Sequence, residues 1–98
     1  MFTVDEIRRT IIPKAEKYGI DRVSLFGSYA SGNANAFSDV DILIDTGKLR
    51  GLLEYFSFVN ELEDAFGCHV DVVTGGIEDK DFLEKIKSEG VLLYASEH

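Results

Sequence analysis

One cysteine, one proline and no long apolar run: this 98-residue sequence is marked first by what it has little of. With Cys68 alone, no internal disulfide can form, and a reducing cytoplasm is the expected home. The longest apolar runs, such as residues 91–94, fall far short of the roughly 20 residues needed to cross a bilayer, so no membrane association is expected. The residues ahead of Thr3 are too few for a signal peptide. Basic residues are also scarce and scattered, reading as solvated helix faces. Against a net charge of -8 and a pI near 4.6, a nucleic acid would meet repulsion, and no direct nucleic-acid binding is expected. The length suits one small domain over residues 1–98, with a single core and little room for a large substrate pocket. Repeats, linkers and low-complexity segments are absent.

What is present is a regular alternation of helical and extended patterns. Thr3-Val4-Asp5-Glu6 forms a capping box, and Val4, Ile7, Ile11, Ala15 and Tyr18 recur on one helix face, so a first helix is expected over residues 3–18, stopped by Gly19. Pro13 removes a donor and crowds the carbonyl of Arg9, which predicts a kink or two half-helices. Residues 22–26 (RVSLF) and 39–44 read as strands. From Leu49 to Phe66 apolar residues repeat at helical spacing, through Leu52, Leu53, Phe56, Val59 and Leu62, with Gly67 as the stop. That stripe is expected to face the core, leaving Tyr55 and Phe58 beside it as candidates for a partner interface. Residues 69–73 alternate as a third strand, a short helix carries Phe82, Leu83 and Ile86, and residues 91–94 close the chain as a strand. The order predicts a small α/β (α+β) domain, a mixed sheet with helices packed on one face.

Chemistry concentrates in the second and third strands. Side chains alternate between sheet faces, so Val40, Ile42 and Ile44 point one way while Asp39, Asp41 and Leu43 point to the open side. The third strand repeats this with Val70 and Val72 inside and Asp71 opposite, so the three aspartates converge if the strands are neighbours. Converging carboxylates repel and have raised pKa values unless a cation compensates them. Mg²⁺, a hard ion that takes carboxylate and phosphate oxygens, is that compensation, and three aspartates with a triphosphate can hold one or two ions. Gly27-Ser28, at the end of the first strand on the same rim, offers close backbone approach and donors to phosphate. Two other readings fail. Asn33 and Ala34 stand where a P-loop opened by Gly27 needs Lys and Ser or Thr, and Leu43 and Ile44 replace the next ligand and turn glycine of an EF-hand begun at Asp39.

The stretch GSYASGNANAFSDVDI resembles the signature of the DNA polymerase beta-type nucleotidyltransferase superfamily, and most closely its minimal nucleotidyltransferase group, whose common form is GSxARGxxxxxSDxDL. Gly27, Ser28, Ala30, Gly32, Ser38, Asp39 and Asp41 fit that form, Ile42 replaces Leu, and Ser31 stands where the group has Arg. The likeness runs through the first helix, VSLFGS, the central helix, VDVVT with Asp71, and the closing GVLLY. It implies a polymerase beta palm-like fold and Mg²⁺-dependent transfer of AMP from ATP to a hydroxyl. Asp39, Asp41 and Asp71 would be the catalytic metal ligands, Asp71 doubling as base, with Gly27 and Ser28 on the phosphates. Ser38 either contacts the nucleotide or braces the loop ahead of Asp39. The resemblance further implies a helical HEPN partner in a hetero-oligomer, often an RNase toxin that the nucleotidyltransferase silences as antitoxin by adenylylating a tyrosine. The missing Arg puts turnover in doubt and leaves room for a binding module that neutralises by masking. A third possibility is a small-molecule transferase similar to the aminoglycoside-modifying enzymes. His69, on the face of Asp71, reads first as a partly exposed strand end, and Tyr29 as a residue packed under the phosphate loop.

Overall fold

The computed structural model describes residues 2–74 and 80–96. Helices and strands alternate as α1 (Val4–Tyr18), β1 (Arg22–Phe26), α2 (Gly27–Ser31), β2 (Val40–Asp45), α3 (Gly51–Phe66), β3 (Val70–Thr74), α4 (Lys80–Glu89) and β4 (Val91–Ala95). The strands form one mixed sheet in the order β3-β2-β1-β4, in which β1 runs antiparallel to both β2 and β4, and β2 runs parallel to β3. A parallel pair needs a crossover, and α3 provides it. The expected α/β mixed sheet is the observed one.

The first helix starts where the sequence says it should. The Thr3 hydroxyl accepts from the Glu6 amide at 3.1 Å, and the Glu6 carboxylate accepts from the Thr3 amide at 3.1 Å. Gly19, at φ 70°, closes it with the left-handed conformation that a side chain would strain. Pro13 does not divide the helix, so of the expected kink or two half-helices the division does not occur. Ile7, Ile11 and Ala15, on both sides of it, are fully buried in the core and hold the two halves in place. Pro13 itself is exposed, on the side where water reaches the freed carbonyl of Arg9.

The central helix corrects the sequence reading more sharply. Its buried residues are Phe58, Leu62 and Phe66, whereas Leu52 is 71%, Leu53 85% and Phe56 55% exposed. At about 100° per residue, Phe56 and Leu53 lie nearly opposite Phe58, and no single sheet covers an apolar arc that wide. The expected stripe therefore splits. Phe58, set aside as an interface candidate, is the fully buried anchor, its ring edge-on to Tyr18 at 5.8 Å, while Tyr55 is half-buried with its hydroxyl directed at the Val72 carbonyl.

Both long helices cover the face carrying Val23, Leu25, Val40, Ile42 and Ile44, and this is the core. The shorter α4 lies on the opposite face, where Phe82 meets Phe26 edge-on at 6.0 Å, so helices cover both faces of the sheet and not the single face expected. Leu43, expected on an open face, is consequently only 9% exposed, sharing a small pocket with Leu83 of α4. What stays open on that face is the end bearing the aspartates. Among the described residues, no helix is long and apolar enough to cross a membrane.

Candidate active site

Asp41 and Asp71 are register partners on the parallel strands β2 and β3, so their side chains rise side by side from the same face. Beneath them Val40 and Ile42 are fully buried and Val70 is 2% exposed, which fixes the opposite parity of the carboxylates. Asp39 stands just ahead of β2, and its carboxylate, that of Asp71 and the His69 imidazole lie with their ligand atoms within 4.8 Å of one another. The three aspartates thus meet, as the alternation requires.

Their proximity is costly. Burial, then a hydrogen bond shared with the Asp71 carboxyl, then the negative charges of Asp71 and Asp39 push the Asp41 carboxyl up to about 6. Asp41 is hydrogen-bonded to Asp71 beside this group, and both His69 nitrogens are taken by Asp71 and Glu63, so the donors left are carboxylate oxygens, which fit a hard divalent cation such as Mg²⁺. The raised folded value, against 3.8 for an ordinary aspartate, means that the folded chain binds more protons than the unfolded chain between those values. Stability of the metal-free protein should therefore rise as pH falls from about 6 toward 3.8, and sit at its lower plateau once Asp41 is ionised above about 6. A cation reverses that penalty only where the carboxylates are charged. We expect millimolar Mg²⁺ to raise the melting temperature distinctly at pH 8 and hardly at all at pH 5, as differential scanning fluorimetry would register.

Two residues outside the predicted trio hold Asp71. His69 Nε2 lies 2.7 Å from Asp71 Oδ1, and His69 Nδ1 lies 3.0 Å from Glu63 Oε2, the oxygen that also accepts the Val70 amide at 3.1 Å. The Asp71 carboxylate holds the imidazole pKa above its usual range. Position 69 shares the strand face of Asp71, a signal the sequence offered. Glu63 carried none, because its approach depends on how Gly67, at φ 66°, turns the chain from α3 into β3.

Gly27 is where β1 ends, and its neighbour across the sheet is the strand position of Asp41, paired with Phe26. With φ at 72°, Gly27 adopts a conformation that side chains avoid, and a Cβ there would run into the Asp41 carboxylate. The Gly-Ser turn is also more than a turn, since it opens the helical segment α2, closed by Gly32 at φ 82°. Within it the Ser31 hydroxyl donates to the Ser28 carbonyl at 3.2 Å and accepts from Asn33 Nδ2 at 3.2 Å. Tyr29 is 7% exposed and stacks toward Phe2, which places it under the loop. Replacing Gly27 by alanine should cost about 1–2 kcal/mol from backbone strain alone, and displace the Asp41 carboxylate as well. Urea denaturation would measure the first effect and the loss of the Mg²⁺-dependent thermal shift the second.

The Ser38 hydroxyl accepts from the Asn35 amide at 2.9 Å, and the Phe37 amide donates to Asn35 Oδ1 at 2.8 Å. Ser38 accordingly braces the loop that delivers Asp39, and the Val40 amide, bonded to the His69 carbonyl at 3.2 Å, ties that loop to β3.

Comparison with known proteins agrees with this geometry. A family model described as polymerase beta, nucleotidyltransferase, matches residues 9–98. The protein adenylyltransferase candidate MJ0435 of Methanocaldococcus jannaschii is 44% identical over 88 residues, covering 90% of this chain and 95% of its own length. A solved minimal nucleotidyltransferase candidate superposes with a TM-score of 0.78 at 27% identity, covering 92% of this chain and 95% of the other. A chain in the structure of a tri-AMPylated HEPN toxin from Shewanella oneidensis with its MNT antitoxin shares the fold at a TM-score of 0.70 and 18% identity, covering 96% of this chain and 74% of the other.

Proposed function

Because the chain belongs to the polymerase beta-type nucleotidyltransferase family, we propose that it transfers AMP from ATP to a hydroxyl of a partner protein, a tyrosine of a helical HEPN toxin, and so acts as the antitoxin of a cytoplasmic pair. The observation that carries this reading is the meeting of Asp39, Asp41 and Asp71 beside a glycine whose missing side chain makes room for one of them. The names of the relatives support protein adenylylation as the branch of nucleotidyl transfer, and the HEPN complex supports the partner class.

Asp39, Asp41 and Asp71 would hold one or two Mg²⁺ ions, which when bound offset the charge of the triphosphate and of the departing pyrophosphate. The amides at the start of α2 lack helical acceptors, and those around Gly27 and Ser28 would donate to the β- and γ-phosphates. The acceptor oxygen bonds to the α-phosphorus as the bond to the bridging α–β oxygen breaks, pyrophosphate leaves, and Asp71 takes the hydroxyl proton. His69 and Glu63 hold the Asp71 carboxylate in place for that transfer. A chain of charge -8 suits an RNA-binding partner, which tends to be basic.

Ser31 in place of the family arginine favours a second reading, in which the chain silences its partner by masking it. The two separate when the chain is incubated with the protein encoded beside it and with ATP labelled at either the α- or the γ-phosphate. Transfer predicts that α-label alone enters the partner while pyrophosphate appears in equal amount. A partner that is silenced yet carries no label would establish masking instead.

A further inference from the structure

The segment α2 carries no cation, whereas α4 brings one to the groove beside it. A groove of about 330 Å³ begins at Gly27 and is walled by Phe26, Ala30 and Ser31 on one side and by Phe82, Lys85, Ile86 and Glu89 on the other. Positions 27, 30 and 31 are one face of α2, and positions 82, 85, 86 and 89 are one face of α4, so both helices turn a contiguous stripe toward the same space. Phe82 and Ile86 are the anchoring members of the α4 stripe, through the Phe26 ring contact and the nearly complete burial of Ile86. Lys85 lies between them in sequence and is the one cation among the described residues that line the groove. It is exposed and forms no ion pair among the described residues. Glu89, the other charged residue of the lining, sits one turn nearer the end of the helix.

We infer that Lys85 is the residue that holds the terminal phosphates of the nucleotide, supplying from α4 the positive charge that position 31 of α2 does not. This rests on the nucleotidyl-transfer reading and deepens it. A triphosphate lying on the Gly27-Ser28 amides has an open path along the groove past Ser31, where a neutral hydroxyl already committed to the Ser28 carbonyl leaves the phosphate charge unmatched. A flexible ammonium on a helix anchored at its flanking positions reaches such a tail without a fixed fork geometry. The apolar walls of Phe26, Phe82 and Ile86 lower the local dielectric and strengthen that attraction.

The test is nucleotide affinity in the presence of Mg²⁺, measured by isothermal titration calorimetry with AMP and with a non-hydrolysable ATP analogue, so that no turnover is needed. Lys85→Gln should weaken the ATP analogue about tenfold and leave AMP, which lacks the terminal phosphates, within about twofold. Ser31→Arg introduced into the Lys85→Gln protein should restore most of the loss, because the two positions face the same phosphates. Unchanged affinity for the ATP analogue in Lys85→Gln, an equal loss for AMP, or no recovery with Ser31→Arg would each overturn the assignment. Failure of the unaltered chain to bind the ATP analogue at all would overturn the assignment together with the nucleotidyl-transfer reading beneath it.

Discussion

Exchanging Asp39 and Asp41 together for asparagine should lower the rate of AMP transfer by about a thousandfold while leaving the fold intact. The magnitude follows from the work assigned to the cation: several kcal/mol of charge stabilisation on the triphosphate, at 1.36 kcal/mol for each factor of ten. Asparagine keeps the shape of each side chain and removes only its charge. The core contacts of the strand are made by Val40, Ile42 and Ile44 on the other face, so they are untouched. Indeed the metal-free variant should be at least as stable as the parent at neutral pH, because the crowding that pushes Asp41 up to about 6 is relieved. Pyrophosphate release gives the rate, and melting curves with and without Mg²⁺ give the stability. A variant that lost activity by unfolding would show itself in those curves, and one that kept its activity would remove these aspartates from the chemistry.

The second large effect is on stability and concerns a single helix. Phe58→Ala should cost about 3–5 kcal/mol, a large share of the roughly 5–15 kcal/mol that holds a domain together, whereas Phe56→Ala should change stability by about 0.5 kcal/mol or less. Phe58 is fully buried against Tyr18 and the sheet, and deleting its ring leaves a cavity that close-packed neighbours cannot close. Phe56, more than half exposed, loses mainly a surface contact with Tyr55. Urea titration of the two variants reads the difference directly. Equal losses would mean that α3 packs by another face.

That contrast marks where the sequence was legible and where it was not. Helical spacing from Leu49 to Phe66 announces a helix without ambiguity, yet apolar residues cover so much of its circumference that spacing cannot choose the buried side. The choice is made by tertiary packing against α1 and β3. The capping box at Thr3 and the stops at Gly19 and Gly67 were readable because capping is local chemistry. The helix runs through Pro13 because a local penalty is outweighed by burial of Ile7, Ile11 and Ala15 around it.

In the site, the aspartates were readable by parity alone, since a strand that buries Val40 and Ile42 must present Asp41 on the far face. Their convergence needed only that β2 and β3 be neighbours, which they are. Three features lay beyond the sequence for one common reason: each depends on the register between elements distant in the chain. Gly27 is required by Asp41 because β1 and β2 pair antiparallel, Glu63 reaches His69 because of the turn at Gly67, and Lys85 shares a groove with Ser31 because α4 lies back across β1.

The proposed transfer requires a divalent cation held by carboxylates from two adjacent strands. Crystals of the chain grown with Mn²⁺ as a visible substitute for Mg²⁺ test this most directly, through the anomalous scattering of the metal. The prediction is a peak bonded to oxygens of both Asp39 and Asp41, with the Asp71 carboxylate facing it. A fully occupied peak elsewhere, or carboxylates that stay paired through a shared proton at pH 8 with no metal among them, would contradict it.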